Sequence, residues 1–320
     1  MGGGMRPDMR HDMRHETTLR YVDAIARHRS IRRAAEALAL TPSALNRRLL
    51  ALEEEIGAPL FERRAQGVRL SAAGEVFIHH ARRQMAEMAR VRAAIEDMKG
   101  ARRGHVTLAV DGSLPHAALA GRIAAHRSEH PGVTFEVVPC GRGEAAMLLE
   151  GYGADIALAV EPEASGAFAT LASAPVRLLA LVGAGHAASG ADVARLHEVL
   201  AEPLALPPAG ASARFVLERA AARRDLPVRP VVSGPDELTV PLVRAGAAIG
   251  IALALPDAAD GREAWGRPAP AGIGVVPLDP RDVPPARVHV GQMRGRTLPV
   301  PAARFADAIL QAVARAAGEG

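Results

Sequence analysis

The chain of 320 residues predicts an α + α/β protein: a helical N-terminal domain with a winged helix-turn-helix, one long linker helix, and a C-terminal α/β domain of two lobes. Three observations carry this prediction. Residues 32–53, RRAAEALALTPSALNRRLLALE, hold two apolar-periodic segments with only a few residues between them, so one helix stops and another starts almost at once. Residues 71–98 carry a long helical stripe, with Arg92 filling one of its seam positions. From His105 onward the pattern changes to alternating strands and helices over more residues than one mononucleotide-sized unit needs.

Composition narrows the class. A hydrophobic content of 49% with 23% charged residues is ordinary for a globular protein and excludes fibrous or wholly disordered chains. The longest nearly uncharged apolar stretch, residues 245–255, falls well short of the roughly 20 residues of a membrane helix. The N-terminus MGGGMRPDMRHDMRHE has no apolar signal-peptide core, so a cytoplasmic location is expected. The single cysteine, Cys140, excludes an internal disulfide and fits a reducing compartment. Residues 1–104 hold 20 Arg/Lys against 13 Asp/Glu, and residues 105–320 hold 19 against 22, so the N-terminal third is the candidate for a polyanionic partner. Lys99 is the only lysine, so arginine at a given site says little about a local need for a guanidinium.

In chain order, residues 1–16 are polar and build no core, which predicts a disordered tail. Leu19, Val22, Ile25 and Ala26 recur at helix spacing, and a break at residues 27–30 precedes a second helix that Ser30 can cap. Thr41 is placed to cap the third, with Pro42 at its first position, where a missing N–H costs nothing. Leu60-Phe61 and Val68–Leu70 bracket a charged turn, a short hairpin. In the long helix Ile78, Ala81, Met85, Met88 and Ile95 follow a 3,4 spacing, with Phe77, Val91 and Met98 widening the stripe. About 28 residues at about 1.5 Å each reach about 40 Å, which outruns the small helical domain and favours homodimerisation over packing within it. Then come HVTLAV, a helix over 115–130, VTFEVVP, a helix over 144–150, DIALAV, PVRLLALV, a helix around 191–200, PLALPP, a helix over 215–224, VRPVVS, and a final amphipathic helix over 302–317.

The third helix has the chemistry of a reading head. Leu45, Leu49, Leu52 and Ile56 form its inward stripe and leave Ser43, Ala44, Asn46 and Arg47 near its start facing out. In a helix-turn-helix this end enters the DNA major groove. Arg47 can bond guanine O6 and N7, Asn46 can bond adenine N6 and N7, and Ser43 or the Ala44 methyl can touch a neighbouring base. Thr41 and the helix N-terminus can hold a phosphate. Arg33, Arg48, Arg63, Arg64 and Arg69 would supply backbone contacts, or a minor-groove contact from the hairpin. The plain alternative is a solvated helical hairpin in an arginine-rich chain; the basic segment, the hairpin and the long helix weigh against it.

Residues 30–75 resemble the winged helix-turn-helix of LysR-type transcriptional regulators. The resemblance rests on Ser30, Ala34-Ala35, Ser43-Ala44-Leu45, Leu52-Glu53 followed by Gly57, Leu60-Phe61-Glu62-Arg63, and Ser71-Ala72-Ala73-Gly74. Members commonly carry Ser where this chain has Asn46 and Gln where it has Arg48, positions on which the bases read depend. The resemblance implies a winged helix-turn-helix over 17–75, a linker helix over 71–99 and an effector-binding domain over 105–320, similar to periplasmic binding proteins. It places lobe I at about 105–161 and 270–320, with the first crossover near Glu161, lobe II at about 162–269, and the return through the second crossover after VPLVRAGAAIGIALALPD, residues 240–257. It also implies double-stranded operator DNA and a small-molecule effector as partners, with assembly as a tetramer.

In such sheets ligands sit beyond the carboxyl ends of strands and at helix N-termini. That selects Ser113, the Gly141-Arg142-Gly143 turn, Ser212 at the end of PPAGAS, and Asp236. Each has a bland reading: Ser113 and Ser212 can serve only as helix caps, and the glycines only as turn residues. Arg142 suits an anionic, carboxylate-bearing effector, although surface exposure accounts for it equally well. Cys140 reads as a small buried residue rather than a redox sensor. An enzyme is not expected: there is no P-loop, no Gly-x-Gly-x-x-Gly after the first strand, no Gly-x-Ser-x-Gly and no metal-ligand spacing, and His79-His80 and His126/His130 read as solvated pairs. No cofactor or metal is expected. A fused solute-binding protein is opposed by the missing signal peptide.

Overall fold

A computed structural model describes residues 7–64, 67–98, 103–254 and 271–317. The chain divides into two compact units, residues 1–92 and 93–320.

The first unit is built on α1 (Pro7–His28), α2 (Ile31–Ala37) and α3 (Pro42–Ile56). The hairpin β1 (Phe61–Arg64) and β2 (Gly67–Leu70) follows, then α4 (Ala72–Met98), which runs on past the unit's boundary. Val22, Ile25, Ala34, Ala35, Leu45, Leu49 and Ile78 share one core, and the fully buried Ala34 and Ala35 let the helices cross closely. Gly57 ends α3 in the left-handed conformation (φ 76°). Glu53 then reaches past that cap to accept hydrogen bonds from the Leu60 and Phe61 amides at 2.7 and 3.1 Å, so α3 itself sets where the hairpin begins. The Ser71 hydroxyl caps α4 at the Gly74 amide (2.9 Å) and donates to the Pro59 carbonyl (2.6 Å). A Cβ at Gly74 would stand 2.0 Å from the Leu60 carbonyl oxygen, so only glycine fits there.

Two expectations change in this unit. Helix α1 begins at Pro7, so residues 7–16 extend a helix rather than trail as a tail, and Glu16 pairs with Arg92 at 2.8 Å. Adding turns to a helix already anchored by Leu19, Val22 and Ile25 needs no new nucleus, which is why polar residues can join it. Residues 1–6 lie outside the described residues. The long stripe of α4 is also two things in succession. Ile78 and Ala81 are buried in the winged domain, whereas Met88, Val91 and Ile95 are 43%, 41% and 46% exposed.

The second unit is a mixed sheet in two halves. Strands β3 (Gly104–Asp111), β4 (Val133–Cys140) and β5 (Ile156–Val160) pair in parallel with β3 central, and α5 (His116–Glu129) and α6 (Glu144–Glu150) make the connections. Strand β6 (Phe168–Gly183) spans both halves. Its first half pairs antiparallel with β11 (Ala286–Met293), which itself pairs with β5; its second half, from Arg177, pairs with β9 (Gly250–Ala254) and β10 (Ile273–Pro277). The second lobe is completed by α7 (Leu196–Ala201), the parallel pair β7 (Leu204–Leu206) and β8 (Pro230–Ser233), α8 (Ser212–Ala222) and α9 (Asp236–Arg244). Helix α10 (Val300–Ala317) returns to the first lobe, burying Phe305 and Ile309.

The crossovers therefore differ from expectation. The first lies inside β6, between Val176 and Arg177, and not near Glu161; the second follows β10 rather than preceding it. Residues 168–174, FATLASA, carry no apolar run of their own and become strand because β11 pairs with them, a case of tertiary pairing deciding strand formation. The second crossover is pinned by charge. Arg195 reaches Asp282 at 2.6 Å, Arg281 bonds Asp279 at 3.0 Å, and Arg224 donates to the Asp282 carbonyl at 2.8 Å. The Arg195 bond holds the Asp282 carboxyl down at about 2.

Candidate nucleic-acid interface and ligand cleft

In the first unit, the Thr41 hydroxyl accepts from the Ala44 amide at 3.2 Å and sits 3.2 Å from the Ser43 hydroxyl, with Pro42 opening α3 as expected. Burial of Leu45, Leu49 and Leu52 turns Ser43 and Arg47 to solvent, while Ala44 and Asn46 are half-buried beside them. Arg63 of the hairpin donates to the Asn46 side-chain carbonyl oxygen at 3.1 Å, which joins the hairpin to α3 through a side chain expected from the sequence to read a base. Arg48 behaves differently from expectation. It bonds the Tyr21 hydroxyl of α1 and stacks 5.0 Å from that ring, so it stands over α1 rather than free at the helix start. Arg64 pairs with Glu62 at 2.7 Å. The exposed side chains of Arg33, Arg47 and Arg69 make no hydrogen bond to another described residue. Asp23 anchors α4 beneath this surface through Arg82 at 2.7 Å.

In the second unit, four of the five residues proposed for the cleft converge. Ser113 follows β3, Gly141 and Arg142 follow β4, and Ser212 opens α8 from the opposite lobe. Asp236 begins α9, and its side chain lies outside the described residues. Neither serine is a helix cap: Pro115 and Ala211 occupy those positions. The Ser212 hydroxyl instead donates to Asp111 at 2.5 Å, and the Ala213 amide donates to the Ser113 hydroxyl at 3.1 Å, so two bonds cross between the lobes. Gly141 donates its amide to Glu144 at 2.8 Å.

Four residues that sequence reasoning missed complete the site. Asp111 is buried at the carboxyl end of β3 and accepts from the amides of Ser113 (2.9 Å) and Val160 (3.2 Å) as well as from Ser212; burial raises its pKa, against those bonds. Phe215 of α8 lies under the Arg142 guanidinium, 3.5 Å from its ring centre, while Arg142 Nε donates to the Glu161 carbonyl at 2.8 Å. Arg219 of α8 pairs with Glu161 at 2.9 Å. Burial would raise the Glu161 pKa, but the bonds from Arg219 and the Arg287 amide outweigh it and hold the carboxyl below its usual range. The available signal for Asp111 was an acidic residue directly ending an apolar strand; Phe215 and Arg219 face the cleft only because α8 does.

Other expectations resolve simply. Cys140 is buried, and burial together with the nearby Asp111 and Glu144 carboxylates pushes its thiol up to about 12, far from reactive. His126 is not solvated: it is buried, edge-on to Phe135 and Phe305 at 5.8 and 5.3 Å. Among the described residues no group of three or more His, Cys, Asp or Glu is arranged to hold a metal ion.

Comparison with known proteins follows these two units. Residues 17–75 match the family described as bacterial regulatory helix-turn-helix protein, lysR family, and residues 99–314 match the LysR substrate binding domain. The chain is 30% identical over 236 residues to the transcriptional regulator CfxR of Cupriavidus necator, covering 71% of this chain and 72% of that one. It is 27% identical over 212 residues to the RuBisCO operon transcriptional regulator of Allochromatium vinosum, covering 66% and 70%. Among solved structures, full-length CbnR complexed with its target DNA shares the fold with a TM-score of 0.65 at 21% identity, covering 94% of this chain and 99% of that one. A full-length OxyR variant from Pseudomonas aeruginosa does so with a TM-score of 0.64 at 17% identity, covering 98% and 96%. Family matches over both units, joined to a capped recognition helix and a two-lobed cleft, show that this chain belongs to the LysR family of helix-turn-helix transcriptional regulators, and not to a family of enzymes.

Proposed function

We propose that this regulator binds a partly palindromic operator as a homodimer joined through α4, and that a small molecule in the cleft of the second unit biases the arrangement of the protomers. The observation that carries the DNA reading is the N-terminal turn of α3, where Ser43 and Arg47 stand exposed over a buried leucine stripe with Asn46 tied to the wing. Arg47 and Asn46 would read bases, while Thr41, Pro42, Ser43 and Ala44 approach the groove edge. Arg33, Arg63, Arg64 and Arg69 would meet phosphates or the minor groove, and Arg48 would serve mainly to brace α3 on Tyr21. The solved CbnR complex with target DNA shares this fold. Operator binding supports a cytoplasmic location, and no described helix is long and apolar enough to cross a membrane.

The effector would enter between the lobes, displacing the Ser212–Asp111 and Ala213–Ser113 bonds that close the cleft. Arg142 commits its Nε to Glu161 and keeps its terminal nitrogens for a carboxylate, which favours an anionic effector. Ser113, Ser212, Gly141 and Asp236 would surround it. To act, the ligand must prefer one arrangement of the protein over the other. Likeness to the family extends the dimer to a tetramer, which sedimentation distinguishes. A thermal-shift screen of small organic acids tests the effector class: stabilisation by carboxylates that Arg142→Gln abolishes supports it, and stabilisation only by amines contradicts it.

A further inference from the structure

Two imidazoles at the base of the first lobe are left with unused nitrogens. His126 is 7% exposed, lies edge-on to Phe135 and Phe305, and its Nε2 has no hydrogen-bond partner among the described residues. His130, one turn further along, leaves its Nδ1 buried in the same condition, with the two ring centres 4.6 Å apart. Buried nitrogens without partners are costly and point to something that supplies them. Both histidines line one pocket of about 10 Å³, room for a single water-sized atom. Arg103, just before β3, and Arg304 of α10 line it too, and both are exposed, so they stand on its solvent side. Among the described residues no carboxylate lines it, although Glu129 acts on His126 from outside.

The walls decide the charge of the occupant. Two guanidiniums repel a metal cation, so the histidine pair does not suit one despite its helical spacing. A water would satisfy a nitrogen and leave the field of both arginines uncompensated. Imidazoles carrying hydrogen on His126 Nε2 and His130 Nδ1 are donors, so an anion would meet a donor on every polar wall. One atom fits at depth and two arginines stand outside it, which matches a tetrahedral oxyanion with one oxygen inside and others on the guanidiniums. The frame is fixed, since a Cβ at Gly104 would lie 2.4 Å from Pro301 where β3 meets α10. We propose that this pocket binds a phosphate group, free or carried by a small ester, and so clamps the start of β3 to the end of α5 and the first turn of α10. Burial, His130 and Arg304 hold the His126 pKa down, while Glu129 alone raises it. A phosphate between Arg103, Arg304 and the two rings reverses that balance, so binding draws in a proton and tightens as pH falls through about 6.5.

Calorimetric titration of the full-length protein with inorganic phosphate, and separately with glycerol 3-phosphate, tests the site. Saturable binding is expected, weakened by about tenfold or more in Arg103→Gln and in Arg304→Gln through loss of a charge-assisted contact. Both arginines are exposed, so neither change disturbs the packing of His126. Binding should persist in Arg47→Ala and in Arg142→Gln, which remove arginines from the DNA-facing helix and from the cleft. Phosphate should also raise the pH midpoint of hydrogen exchange at the His126 ring C2 position, read by mass spectrometry, in wild type and not in Arg304→Gln. Binding of the ester assigns the site to phosphorylated small molecules, and binding of inorganic phosphate alone assigns it to the free ion. Absence of saturable binding by both overturns the proposal. So does binding that survives both arginine substitutions, or a His126 exchange profile unchanged at saturation.

Discussion

On the proposed reading Asn46 has two jobs, since its side-chain carbonyl oxygen holds Arg63 of the hairpin while the same side chain would reach into the groove. Replacing it by alanine would remove the proposed base contact and release Arg63. Each of Asn46→Ala and Arg47→Ala should lose roughly 1–3 kcal/mol of discrimination between operator and competitor DNA, measured by competition titration. Only Asn46→Ala should also loosen the wing. Gly74 is a position of a different kind: its Cβ would collide with the Leu60 carbonyl at 2.0 Å, so Gly74→Ala must displace the start of α4 or the end of the turn before β1. A destabilisation of about 1–3 kcal/mol is expected from such overpacking, read by thermal denaturation. This glycine and Ser71 were legible in the sequence as a motif, and the structure supplies their cause. Asp111 was not legible as a functional group, because nothing local separates a buried carboxylate from one that merely caps a strand.

Helix α4 was readable as a long amphipathic helix, but not as one whose stripe changes partners along its length. The register of Ile78 and Ala81 serves the winged domain, and a sequence pattern cannot show where that domain ends. The exposed Met88, Val91 and Ile95 are the residues through which the proposed dimer would form. Val91→Glu together with Met88→Glu should convert dimers to monomers in sedimentation velocity while leaving the far-ultraviolet spectrum of the winged domain intact. Dimers persisting in that variant would move the interface elsewhere. Strand β6 gives the converse lesson: its apolar second half was visible as PVRLLALV, whereas its first half depends wholly on β11, more than a hundred residues away. The first crossover was misplaced for that reason, and the second because β10 belongs to the second lobe through its pairing with the later half of β6, although the two-lobed order of elements was right.

Across the whole molecule, stability and ligand response meet in the way the lobes are held. Asp282 is ionised with a pKa of about 2, below its unfolded value near 3.9, so its contribution is present above that value and lost as pH falls toward 2. His126 is shifted the same way for the opposite charge: burial lowers its pKa, so the folded protein resists protonation and loses stability as pH drops below about 6.5. His289, also lowered by burial, adds to that loss. Thermal midpoints measured between pH 7.5 and 5.5 should therefore fall, and should fall less steeply in His126→Leu; equal slopes would contradict the burial account. Operator recognition by α3 is most directly tested by gel-shift titration of the upstream intergenic DNA at near-physiological salt with excess competitor, comparing wild type with Arg47→Ala. Selective retardation by wild type, lost by about tenfold or more in the variant, is the predicted result. Equal affinity for operator and competitor DNA, both there and in a genome-wide binding selection, would contradict it.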